Sequence, residues 1–140
     1  MISARKKILL FLCAGLTLCL GAWAQCPVDT IVVSGRVQNS SSDSKVRVQL
    51  VYPKGKPGES GEVTVSDGSF RIPLEFVTEQ SSIFTNLPKR CGRRPKSVEI
   101  SLIENDREAD RVSLDFSRSF RLVDASAYAL RSEVVLKGTR

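Results

Sequence analysis

The alternation of apolar and polar residues constrains this chain more than any other feature of its sequence. Apolar residues recur at every second position along much of the chain, in runs at 31–38, 46–52, 63–65, 70–76, 98–102, 112–116, 120–122 and 134–136. Side chains on a β-strand point alternately to the two faces of a sheet, so this period predicts strands with one buried face. The runs are short and no long helical pattern interrupts them. They predict an all-β sandwich of seven or eight strands.

Turn-forming residues separate the runs. Asp67 and Gly68 lie between two alternating runs, and this dipeptide predicts a type I′ hairpin, in which both central residues need positive φ. The segment 53–61 is dense in Pro and Gly and predicts a longer turn. Pro73 has no N–H for a ladder hydrogen bond, so its strand should be an edge strand or carry a bulge.

The segment 124–132 is open to two interpretations. Asp124 or Ser126 could cap one helical turn. Alternatively, Tyr128 and Leu130 could lie on a strand that leads into the last one. We favour the strand.

The first 24 residues predict an export signal. A basic stretch at 5–7 precedes an apolar run at 8–20, and Ala22-Trp23-Ala24 supplies the small residues that signal peptidase recognises. The apolar run is shorter than the roughly 20 residues that span a bilayer. We therefore expect cleavage after Ala24, no transmembrane anchor afterwards, and one domain at 25–140 that is secreted or periplasmic.

Two cysteines, Cys26 and Cys91, remain after the leader is removed. An oxidising compartment favours a disulfide between them. Closing a loop of about 65 residues would stabilise the fold by roughly 4 kcal/mol in the chain-entropy view. The alternative is a reactive thiol at Cys91, with its pKa lowered by neighbouring cations. The chain has no histidine that could serve such a thiol as a general base.

The absence of histidine also excludes Ser-His-Asp and Cys-His catalysis and the usual zinc sites. Acidic residues at 104–110 (Glu104, Asp106, Glu108 and Asp110) could offer oxygen ligands to calcium. They alternate with arginine and lack a Gly-containing calcium loop, so we interpret them as a solvated turn. We predict no catalytic residues, no metal and no cofactor.

A basic cluster surrounds Cys91 in the aperiodic segment 78–96. It consists of Lys89, Arg90, Arg93, Arg94 and Lys96. A disulfide at Cys91 would display these cations on a fixed loop, where they could hold a polyanion, lipid headgroups or an acidic partner. The alternative is a loop that only aids solubility. No aromatic residue lies among the cations, so specific nucleic-acid binding by base stacking is not expected. Three of the 21 basic residues leave with the leader, and the net charge falls from +6 to +3.

Several motifs resemble those of a known family. Val-Ser-Gly-Arg-Val at 33–37, Val-Arg-Val-Gln-Leu at 46–50 and Val-Ser-Asp-Gly-Ser-Phe-Arg-Ile at 65–72 follow the order of motifs in transthyretin-like and carboxypeptidase-regulatory-like domains. Ala-Tyr-Ala-Leu at 127–130 is similar to their late Tyr-x-Leu element. The resemblance implies a prealbumin-type, Ig-like sandwich. Ser44-Lys45 replaces the family's Gly-Ala pair. The ureide-hydrolase branch uses histidines and a Tyr-Arg-Gly-Ser ending, which this chain lacks, so that activity is not implied.

These features predict an exported, non-catalytic interaction module that binds an unknown protein or cell-surface component. The alternative is a secreted protein that binds a polyanion or an anionic surface through the basic loop at 89–96. A small secreted enzyme is the third class considered.

Overall fold

Two β-sheets packed face to face form the fold of the residues that the computed structural model describes, 26–78 and 91–139. The predicted leader lies outside these residues. The described strands are β1 (Val28–Gln38), β2 (Lys45–Tyr52), β3 (Lys56–Thr64), β4 (Ser69–Val77), β5 (Ser97–Glu104), β6 (Arg107–Asp115), β7 (Phe120–Asp124), β8 (Ala127–Leu130) and β9 (Val134–Lys137). One helical turn, α1 (Phe116–Ser119), joins β6 to β7. The prediction of an all-β sandwich with one disulfide is confirmed, with nine strands instead of seven or eight.

Strand β1 organises the first sheet, whose order is β4-β1-β8-β7. It runs antiparallel to β4 along nearly its whole length. On its other side it pairs in parallel first with β8 and then with β9. The second sheet has the order β3-β2-β5-β6 and is antiparallel throughout. The strands β3, β4, β6 and β7 are therefore the sheet edges among the described residues, and β9, which pairs only with β1, has a further unpaired edge.

The predicted alternation places the core between the two sheets. In β2 the residues Val46, Val48 and Leu50 are fully buried, and β5 buries every second residue in the same way. An aromatic group closes the core near the start of β1. The ring of Phe116 lies 5.8 Å from that of Phe76, 5.4 Å from that of Phe120 and 5.1 Å from that of Tyr128. Burial of side chains this large is the main source of stability in a small domain.

Two tight hairpins have the backbone that type I′ turns require. Asp67 and Gly68 have φ values of 52° and 69°, which confirms the predicted turn. A second turn of this kind was not predicted. Asn105 and Asp106 have φ values of 49° and 60° and join β5 to β6. The predicted turn at 104–110 is thus only two residues long, because its later residues continue β6.

The structure corrects the sequence interpretation at two further places and confirms it at two others. Strand β3 begins at Lys56, inside the predicted turn at 53–61, and tolerates Pro57 because it is an edge strand. Pro73 also lies on an edge strand, β4, as predicted. The segment after Asp124 contains strand β8, as we favoured. Leu122, expected on the buried side of its strand, is 56% exposed, because only the first residue of β7, Phe120, is covered by the core.

The polar break at 117–119 is the helical turn α1. The carboxylate of Asp115 accepts a hydrogen bond from the backbone N–H of Arg118 at 3.0 Å and so caps this turn. No helix in the two described ranges has the length and apolar character needed to cross a membrane.

Replacing Gly68 with Val tests the first hairpin. A β-branched residue strongly disfavours the positive φ observed there, so we expect the free energy of unfolding to fall by about 1–3 kcal/mol. Gly68→Asn is the matched control, because Asn tolerates this conformation and should cost far less. Chemical denaturation of both variants measures the difference. Equal stability of Gly68→Val and the parent would contradict the assigned turn.

Candidate functional site

The disulfide between Cys26 and Cys91 joins the beginning of β1 to the segment that precedes β5. The two Cα atoms are 5.3 Å apart, within the usual range for such a bond. The predicted pairing is confirmed, and the sulfur of Cys91 is therefore not a free nucleophile. We call this end of the sandwich the disulfide end.

Packing and hydrogen bonds also hold the segment that follows Cys91. Gly92 lies so close to the end of β4 that a Cβ atom there would collide with the carbonyl oxygen of Val77. Lys96 donates its backbone N–H to the carbonyl of Val51 at 2.8 Å, and its own carbonyl accepts from the N–H of Phe116 at 3.0 Å. Residues 91–96 are thus fixed at both ends although they form no regular element.

Three cations of the predicted basic cluster, Arg93, Arg94 and Lys96, lie in the described residues, and all three are exposed. Two of them face different neighbours. Arg93 faces the turn that follows β2. The guanidinium of Arg94 donates to the hydroxyl of Tyr128 at 3.4 Å, toward the first sheet. Lys89 and Arg90 lie outside the described residues.

Arg93 instead lines a cleft with two lysines from another part of the chain. We call this the basic cleft. Its volume is about 590 Å³, and its walls are Tyr52, Pro53, Lys54, Lys56, Pro57, Gly92 and Arg93. None of the ion pairs formed by the described residues includes any of its three cations.

Sequence reasoning missed Lys54 and Lys56 because their segment was interpreted only as a turn. The pairing of β2 with β5 brings them to Arg93, since Val51 lies opposite Ser97. A 3₁₀ turn at Pro53–Gly55 then reverses the chain, and Lys54 has a left-handed backbone with φ 67°. The alternation of β2 and β5 was visible in the sequence, but their register was not.

Tyr52 forms the aromatic wall of the basic cleft. Its hydroxyl donates to the carboxylate of Glu59 at 2.7 Å. Burial, and then the hydrogen bond and charge of Glu59, raise the pKa of Tyr52 well above its usual value. The phenol therefore stays neutral, and its hydroxyl remains a hydrogen-bond donor to the Glu59 carboxylate.

A second polar group lies at the opposite end of the sandwich. Glu104 is only 6% exposed, so its interpretation as part of a solvated turn was wrong. Its Oε2 accepts from the backbone N–H and the hydroxyl of Thr139 at 3.0 and 2.7 Å, and its Oε1 accepts from the hydroxyl of Ser44 at 2.8 Å. These bonds, those from Thr139 first, lower its pKa to about 2. Glu104 thus fastens the C-terminal segment to the body of the sandwich.

Two of the remaining acids of 104–110, Glu108 and Asp110, also have partners. Glu108 forms an ion pair with Arg111 at 2.7 Å, and Asp110 accepts from the backbone N–H groups of Arg111 and Lys137 at 2.8 Å each. Within 26–78 and 91–139 no three His, Cys, Asp or Glu side chains come together as a metal site would require. Glu104, Glu108 and Asp110 therefore contribute to structure.

Replacing Gly92 with Ala tests how the loop is held. The added methyl group would meet the Val77 carbonyl, so either the loop or the end of β4 must move. We expect a loss of about 1–3 kcal/mol, as for other overpacked sites. Thermal unfolding and a thiol titration measure the loss and verify that the disulfide persists. An unchanged melting temperature would show that this contact does not hold the loop.

Replacing Glu104 with Gln tests the buried carboxylate. A Gln side chain lacks the charge and meets the Ser44 and Thr139 donors with its own N–H group, so we expect a loss of about 1–3 kcal/mol at neutral pH. The pKa of Glu104 is lowered on folding from its ordinary value of 4.5 to about 2. Its stabilising effect is therefore complete above about pH 4.5 and disappears as the pH falls toward 2.

Denaturation of the parent and the variant across this pH range should show the difference in stability shrinking below pH 4.5. Glu75→Gln, at an exposed position on β4, is the matched control and should leave the stability close to that of the parent at every pH. A difference between parent and Glu104→Gln that does not change with pH would contradict the assignment.

The chain matches no protein-family model, no characterised protein and no solved structure in the comparisons made. The resemblance to transthyretin-like domains stays an interpretation of the sequence motifs.

Proposed function

We propose that this protein is an exported, non-catalytic binding module whose partner is anionic and docks at the basic cleft. One observation supports the proposal: Lys54, Lys56 and Arg93 line one concave surface. None of the three forms an ion pair with an acidic side chain among the described residues. A concave surface with converging groups of one charge is a usual feature of binding sites.

The arrangement favours a partner with several negative charges. One exposed ion pair contributes only about 0.2–1 kcal/mol, so a single anionic group would bind weakly. Three cations in one cleft can act together on a polyanion. The disulfide, the Gly92 contact and the 3₁₀ turn already fix the backbone that carries them, which reduces the entropy lost on binding.

The same residues argue against catalysis at the basic cleft. General acid–base catalysis needs a group with a pKa near the working pH. Tyr52 has its pKa shifted away from neutrality, and its proton is donated to Glu59. The sequence supplies no histidine for this role. Export is supported by the leader motif at 1–24 and by the disulfide, which persists in oxidising compartments.

A charge-removal variant tests the proposal, with heparin as the probe. The variant combines Lys54→Asn, Lys56→Ser and Arg93→Ser, and Asn is chosen at 54 because it tolerates the left-handed backbone. We expect its affinity for heparin to fall about tenfold, since three exposed pairs at roughly 0.5 kcal/mol each give about that factor. Parent binding should weaken steeply as salt rises from about 0.1 to 1 M, because the Debye length shrinks from about 10 to 3 Å.

The matched control removes three exposed cations that lie away from the basic cleft, in Arg71→Ser, Arg107→Ser and Arg121→Ser. Its net charge equals that of the test variant, so retained affinity would show that location matters and not total charge. Vesicles containing anionic lipid, tested in parallel, distinguish a membrane surface from a polysaccharide. Equal loss in both variants, or binding that does not respond to salt, would contradict the proposal.

A further inference from the structure

An apolar groove lies on the side of the sandwich, between the edge strand β6 of one sheet and β9 of the other. We call this the edge groove. Its volume is about 380 Å³, and Val112, Leu114, Leu130 and Val135 provide much of its apolar wall. It shares no residue with the basic cleft.

One backbone edge of β9 faces the edge groove. The strand pairs with β1 on its other side, where the N–H of Gly138 donates to the carbonyl of Gln38 at 2.8 Å. The N–H of Lys137 points the opposite way and donates to the carboxylate of Asp110 on β6 at 2.8 Å. Backbone groups alternate in direction along a strand. The N–H and carbonyl of Val135 are in phase with those of Lys137, so they also point away from β1 and into the groove.

This open edge is short, because the fold closes it at both ends. At one end the N–H of Arg131 donates to the carbonyl of Ser119 at 2.8 Å. At the other end Asp110 occupies the place of a neighbouring strand beside Lys137. Strand β9 has four residues, which cover about 13 Å of extended chain, so the open interval accommodates a segment of roughly three or four residues. That length fits a short peptide and not the long edge strand of a second copy.

The charges at the rim indicate what kind of peptide fits. Arg118 and Arg131 line the edge groove, and neither forms an ion pair among the described residues. Glu133 also lines it, but its carboxylate is paired with Arg36 at 2.9 Å. The rim therefore carries uncompensated positive charge beside an apolar floor.

We propose that the edge groove binds a short, extended, acidic peptide that adds as a strand to β9. Backbone hydrogen bonds to Val135 hold the peptide in the extended form. Its apolar side chains, at alternate positions, pack on Val112, Leu114 and Leu130, and an Asp or Glu meets Arg118 or Arg131. Strand addition of this kind obtains affinity from the main chain and specificity from alternate side chains.

A phage-displayed library of random heptapeptides is the probe. The bait is the chain that already carries the three basic-cleft substitutions, so acidic peptides cannot be captured there. We expect enrichment of sequences with apolar residues at alternate positions and at least one Asp or Glu. The most enriched peptide, synthesised and titrated into the ¹⁵N-labelled bait, should shift the amide resonance of Val135 and those of its neighbours. No enrichment, enrichment of basic or proline-rich sequences, or shifts confined to another surface would overturn the proposal.

Two substitutions test the mechanism with the selected peptide. Val135→Pro removes the N–H that points into the groove but no hydrogen bond to β1, so the strand should persist while affinity falls about tenfold. Val135→Thr keeps the N–H and is the matched control, with affinity within about threefold of the parent. Arg118→Glu is a surface change away from β9, and it should lower the affinity for the acidic peptide at least threefold. Replacing the peptide's acid by Lys should restore binding to this variant. Undiminished binding by a folded Val135→Pro variant would refute strand addition. Undiminished binding by Arg118→Glu would refute the assigned role of the rim charge.

Discussion

Contact between the inner faces of β2 and β5 and those of β1 and β4 is the interaction on which the rest of the structure depends. These four strands contribute most of the fully buried side chains, such as Val33, Leu50 and Ile100. Removing apolar surface of this kind from water contributes about 1.5–3 kcal/mol for each large side chain. The peripheral strands and both proposed binding surfaces are positioned relative to this central contact.

The two ends of the sandwich are fixed by different chemistry. At the disulfide end, the disulfide bond and the close approach of Gly92 to Val77 hold residues 91–96 in place, a segment that has few backbone hydrogen bonds of its own. At the opposite end, the buried carboxylate of Glu104 gathers donors from Ser44 and Thr139. The first restraint depends on redox conditions and the second on pH. Reduction should therefore loosen the basic cleft first, and acid should loosen the C-terminal segment first.

The features that could be predicted from the sequence, strands and turns, are local. The features that could not be predicted depend on pairing between distant segments. Alternation predicted most strands, and Asp67-Gly68 predicted its turn, because both signals lie within a few residues. The meeting of Lys54 with Arg93 depends on the register of β2 against β5, which no short stretch encodes. Leu122 follows an apolar pattern, yet it is exposed, because the core covers β7 only at its first residue, Phe120. Glu104 lies in a segment whose composition is typical of a surface turn. It is nevertheless buried, and its carboxylate accepts hydrogen bonds from the hydroxyls of Ser44 and Thr139, which are distant in sequence.

The parallel neighbours of β1 have a consequence for how the chain reaches its fold. Thr30 pairs with Ala127 and Gly35 with Val134, partners that are almost a hundred residues apart. During synthesis β1 is available long before β8 and β9 have been made. Until then one side of the central strand of its sheet is an open row of hydrogen-bonding groups, a template on which another chain can pair. A chain that stops before residue 127 would lack β8 and β9 and would keep that edge exposed. Although these two strands have only four residues each, their loss should therefore strongly favour aggregation.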